Sequence, residues 1–98
     1  MLFALLCTDR EDALALRLAT RDAHIAYLNE LNDRGTLKFA GPFLDADGKP
    51  NGSLVVVEAD SSAEAKALAA SDPYAKAELF ASVEIKPWNW VFNAPVKN

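Results

Sequence analysis

Cysteine is nearly missing from this chain of 98 residues: Cys7 stands alone, as does His24 among the histidines. One thiol forms no intramolecular disulfide, and one thiol plus one imidazole cannot complete a tetrahedral Cys/His zinc site, so neither a disulfide framework nor a metal centre is expected. Clustered positive charge is also lacking. Ten Lys and Arg face fourteen Asp and Glu, for a net charge of −4, which repels nucleic-acid phosphates and anionic membrane surfaces and leaves a small molecule or another protein as the expected partner. No apolar run approaches the ~20 residues of a membrane span. Met1-Leu2-Phe3 leads into a strand-like segment without a basic leader or a small-residue cleavage site, so a cytoplasmic protein is expected. Repeats and low-complexity linkers are missing too, which predicts one domain over residues 1–98; no cofactor is expected.

What is present is about half hydrophobic and a quarter charged, the composition of a globular chain. Leu2 to Cys7 is continuously apolar and reads as a buried strand. Thr8 with Glu11, or Asp9 with Asp12, offers a capping box for a helix from about Glu11 to Arg34, which Gly35 should stop. Thr36 to Phe43 reads as a second strand ending at Pro42. Asp45, Asp47-Gly48 and Lys49-Pro50 supply turn chemistry, and their spacing lacks the later glutamate of a calcium loop. Gly52-Ser53 opens the β-branched run Leu54 to Glu58, which should pair with the second strand as a hairpin. Ser61 with Glu64 is a capping box for a second helix running to about Ala70. Asp72 caps a short helical turn from Pro73 through Phe80. Ser82 to Phe92 closes the chain as a strand with Trp88 and Trp90 on one face, suited to a dimer contact or an aromatic substrate wall.

This order, βαββαβ, predicts an α+β, ferredoxin-like fold: an antiparallel sheet with both helices on one face. Alternate residues of Leu2–Cys7 and Leu54–Val57 are apolar on both faces, so the uncovered face should meet a second copy in a homodimer.

The protein's single histidine lies on the long helix. Leu14, Leu18, Ile25, Leu28 and Leu31 recur at helical spacing and predict its buried face. His24 falls off the centre of that face. At ~100° per residue, Arg17, Arg21 and His24 share an arc of ~60° along its flank, a row that can face a pocket. Tyr27 is expected in the partly buried core, and Cys7 as a small hydrophobe of the first strand, with nucleophile the less favoured role.

The ordered set Arg21-x-x-His24-x-x-Tyr27-Leu28, Gly35, Gly41-Pro42, Gly52, Ser71-Asp72-Pro73-Tyr74 and Ile85-Lys86-Pro87-Trp88 resembles the YciI-like (YCII-related) family of the dimeric α+β barrel superfamily, over nearly the whole chain. The resemblance implies a dimer whose pocket holds a catalytic histidine and aspartate, here His24 and Asp72, with lyase or dehydrochlorinase-like chemistry on hydroxylated rings. An imidazole exchanges protons near neutral pH, and a carboxylate on its other nitrogen fixes the tautomer. Arg21 or Arg17 would hold an anionic substrate oxygen and Tyr74 would line the pocket. Beside an enzyme acting by elimination, isomerisation or hydrolysis stand two other readings: a non-catalytic ligand-binding module using the same pocket, and a purely structural dimer in which His24 is a surface residue and Asp72 only a cap.

Overall fold

The computed structural model describes residues 1–96. Its elements run β1 (Leu2–Asp9), α1 (Leu14–Asp33), β2 (Leu37–Leu44), β3 (Pro50–Glu58), α2 (Ser62–Ala70), α3 (Pro73–Lys76) and β4 (Phe80–Trp88). The four strands form one sheet in the order β2-β3-β1-β4, antiparallel throughout. This is the ferredoxin-like βαββαβ arrangement with a short extra helical turn before the last strand.

The pleat sorts the apolar runs into two faces. Phe3, Leu5 and Cys7 of β1 lie opposite Val57, Val55 and Ser53 of β3 and opposite Pro87, Ile85 and Val83 of β4. Most of this set joins Ala59, Ala65 and Ala69 in the buried core under the helices, with Leu28 and Leu68 packed against it. On the reverse face, Phe39 from one edge strand makes edge-on ring contacts with Trp88 and Trp90 from the other side of the sheet, at centroid separations of 5.5 and 4.9 Å. These rings cross over β3 and β1, and Val56 beneath them is only 1 % exposed.

Local chemistry accounts for the element ends. Gly35, at φ 74°, takes the left-handed conformation after α1; its amide and that of Thr36 return to the Asn32 and Leu31 carbonyls at 3.0 and 2.9 Å, closing a Schellman motif. Ser61 Oγ accepts from the Glu64 amide at 3.1 Å, while the Glu64 carboxylate accepts from the Asp60 amide, so the predicted box closes one residue further out. Gly52 lies where β3 runs hard against β1: a Cβ there would stand 2.5 Å from the Cys7 carbonyl oxygen, which keeps the position free of any side chain.

Several expected boundaries are corrected. Helix α1 starts at Leu14, not Glu11, and its N-terminus has no side-chain cap. Asp12 is in the left-handed region at φ 56°, and Asp9 is drawn away to Arg17. Strand β2 continues through Pro42 to Leu44 because it lies at the sheet edge, where a missing donor costs no ladder bond. Strand β3 begins at Pro50, opposite Leu44. The turn after Asp72 ends at Lys76, since Glu78 turns left-handed at φ 61° and frees Phe80 to begin β4. That strand ends at Trp88, so Trp90 lies beyond it, with its indole donating to the Phe92 carbonyl at 2.7 Å.

The inward face of α1 is also rotated from the expected one. Its buried residues are Arg17, His24 and Leu31, a line at spacings of seven, whereas Leu18 is 57 % exposed. Apolar periodicity counts only apolar groups, and here two polar side chains are turned inward because the rest of the fold supplies their partners.

Candidate functional site

His24 stands on the inward line of α1, and Asp72 caps α3 from the far end of the chain. The imidazole Nδ1 is 2.9 Å from both carboxylate oxygens of Asp72, and both side chains are buried. A carboxylate only accepts, so Nδ1 carries a proton, and in the neutral imidazole Nε2 then keeps the lone pair. Asp72 Oδ1 also accepts the Tyr74 amide at 2.9 Å, which ties the orientation of the carboxylate to the backbone of the helical turn. Among the described residues, Nε2 has no hydrogen-bond partner.

A cavity of about 220 Å³ opens between α1 and the β2–β3 edge of the sheet, with His24, Arg17, Arg21 and Tyr74 in its wall. Ile25, Leu28, Pro42 and Val55 supply apolar surface. Engineered voids of about 150 Å³ admit benzene, so this volume suits one six-membered ring with a few substituents.

The two arginines differ. Arg17 is 4 % exposed and internally committed: Nε and Nη2 donate to the two carboxylate oxygens of Asp9 at 2.6 and 2.9 Å, and Nη2 donates to Ser53 Oγ at 2.9 Å. Burial pulls its pKa down, but the hydrogen bond and charge of Asp9 outweigh it and the net shift is upward. Arg21, one turn further on, is exposed at the cavity and makes no ion pair with a described residue. Asp9 and Ser53 are the residues that the sequence reading missed. No hydropathy signal marks them, because their partner Arg17 lies on the flank of the apolar stripe.

Tyr74 is 1 % exposed, with its ring stacked on the His24 imidazole at 3.9 Å and 16°. Burial raises its phenol pKa, and the Arg17 charge opposes that rise. Tyr27 turns its hydroxyl to the Leu68 carbonyl at 2.8 Å and so is engaged away from His24. Trp88 and Trp90 lie on the reverse face of the sheet, remote from the cavity wall.

Cys7 is buried, and its thiol pKa is pushed up from 9.0 to about 12, chiefly by burial and then by the Asp72 charge. Both folded and unfolded thiols are protonated below pH 9. Between pH 9 and 12 only the unfolded one ionises, so the unfolded state binds fewer protons and stability falls as pH rises, by up to about 4 kcal/mol. Cys7→Ala should flatten this alkaline loss in urea titrations at pH 8 to 11. A thiol reagent at pH 8 should label the native protein about a thousandfold more slowly than the unfolded chain.

Among the described residues, no group of three or more His, Cys, Asp or Glu is placed to hold a metal ion, and no helix is long and apolar enough to cross a membrane.

Residues 1–89 match the model of the YCII-related domain. The chain is 38 % identical to the protein YciI of Escherichia coli O6:H1, with 94 % of this chain and all of that protein covered. Among solved structures it is similar to the 5-chloro-2-hydroxyhydroquinone dehydrochlorinase TftG from Burkholderia phenoliruptrix AC1100, crystallised with 2,5-dihydroxybenzoquinone: TM-score 0.82, 34 % identity, 91 % of this chain and 94 % of that one. Rv0793 from Mycobacterium tuberculosis, at 17 % identity, TM-score 0.53 and coverage of 96 % and 97 %, shares the fold alone.

Proposed function

The chain belongs to the YCII-related family, and on that premise we propose that it is a cofactor-independent enzyme that moves a proton on a small hydroxylated ring, with His24 as the acid-base group. The observation that carries this reading is the buried His24–Asp72 contact, with His24 in the wall of a one-ring cavity. Nε2 accepts a proton from a ring hydroxyl, Asp72 stabilises the resulting imidazolium, and Arg21 faces the oxygen on which negative charge develops. Ile25, Leu28 and Pro42 give the ring an apolar bed. Elimination of a leaving group from such a ring, as the name of TftG describes for that protein, needs this proton transfer and no external oxidant.

The test uses 2,5-dihydroxybenzoquinone as ligand and 5-chloro-2-hydroxyhydroquinone as substrate. Ligand at a hundred times its Kd should stabilise the fold by about 2.7 kcal/mol, and the substrate should release chloride. Stabilisation without turnover would replace the enzyme by a ligand-binding module; neither effect would refute this choice of ligand class.

We also propose that two copies meet through the reverse sheet face, where Phe43 and Trp88 are 41 % and 38 % exposed. Sedimentation at micromolar concentration should give twice the chain mass, and Phe43→Glu should shift it toward the single chain. A wild-type monomer would rule this out.

A further inference from the structure

Within the proposed catalytic reading, Tyr74 has no chemical step to perform, yet it is among the most completely buried side chains of the molecule. Its ring lies 3.9 Å from the His24 imidazole, nearly parallel to it. The Arg17 guanidinium carbon lies 4.6 Å from the same ring centroid. Arg17 and His24 are seven residues apart on α1, about 10.5 Å along the helix axis, and the phenol ring packs against both. The Phe80 ring stands nearly perpendicular to it, 6.0 Å away between centroids.

The hydrogen bond from Nδ1 to Asp72 fixes one edge of the imidazole but leaves the ring free to rock about that bond. A flat partner against its face removes the rocking. We infer that Tyr74 is a positioning residue: its ring sets the plane of the His24 imidazole, and the Arg17 guanidinium, itself held by Asp9 and Ser53, is the backstop. The tripeptide Asp72-Pro73-Tyr74 then supplies both constraints, since the Asp72 carboxylate that holds the imidazole edge also accepts the amide of the residue covering its face. The role needs an aromatic ring with a cation behind it; the interaction of the hydroxyl with Arg17 is not part of it.

The inference rests on His24 transferring the proton, but it can be read without turnover. In the proton spectrum of the wild-type protein, the His24 ring protons should be displaced upfield by the stacked phenol; random-coil positions would overturn the inference without any variant. Tyr74→Phe should keep that displacement and hold kcat within about threefold. Tyr74→Leu should abolish it and lower kcat about tenfold to a hundredfold, with KM changed less than threefold, as expected for a misoriented catalytic group. Arg17→Lys, which keeps the charge on Asp9 but loses the flat backstop, should reduce the displacement partway. Full kcat in Tyr74→Leu, or an equal loss in Tyr74→Phe, would overturn it. If the wild-type displacement is present while His24→Asn retains turnover, the stack stands and the catalytic reading falls.

Discussion

Replacing His24 with asparagine is expected to lower turnover by about 10²–10⁴-fold, the usual contribution of a positioned general base, while the protein stays folded. Asparagine is the informative choice because its amide can still donate to Asp72, whose carboxylate is buried and would otherwise lose a partner; alanine would mix that cost with the loss of the base. Asp72→Asn should lose turnover on the same scale for a different reason. Its side-chain oxygen can continue to accept the Tyr74 amide, so the helical turn keeps its cap, but its NH₂ then faces Nδ1. That forces the imidazole proton onto Nε2 and removes the lone pair that must take the substrate proton. Groups that act as one unit are not additive, so the double variant should be no slower than the worse single one. Independent losses that multiply in the double variant, or a single variant with wild-type chloride release, would remove the pair from the mechanism.

The parts of this arrangement that lie close together in the chain could be read from it. Asp72-Pro73 announces a cap and a first helical turn, and the structure has both; Gly35 ends α1, and the β-branched run Leu54 to Glu58 places β3 in the sheet. The inward face of α1 departs from its apolar stripe for a physical reason. Leu14, Leu18, Ile25 and Leu28 form a genuine apolar stripe, but part of it lines the cavity and Leu18 meets solvent, while Arg17 and His24 point to the core side. A buried polar group is tolerable only with its partners in place, and these lie 36 and 48 residues away, at Ser53 and Asp72. Hydropathy over a helical window carries no record of them. Asp9 shows the same limit in reverse: with Asp12 three residues on it fits a capping pattern, but a buried guanidinium outbids an exposed helix amide for its carboxylate.

Asp9→Ala is expected to be the most destabilising single change among the polar residues of the site, costing about 3–5 kcal/mol. It leaves the Arg17 guanidinium, 4 % exposed, with Ser53 Oγ as its remaining described hydrogen-bond partner. In a domain of this size each kcal/mol moves Tm by about 4–8 °C, so thermal unfolding should fall by at least about 12 °C. Removing both charges has a different expected outcome. Asp9→Leu with Arg17→Met replaces a dehydrated ion pair by apolar volume, and such exchanges are often neutral or stabilising, so the double variant should recover most of the loss. That protein would fold yet lack the flat cation behind Tyr74, so its stability and its turnover should part: near-normal unfolding, with reduced kcat and a loosened His24 ring. A double variant as unstable as Asp9→Ala would mean that the pair is needed to hold α1 against the sheet. Normal stability together with normal kcat would mean that Arg17 contributes nothing to the site beyond filling space.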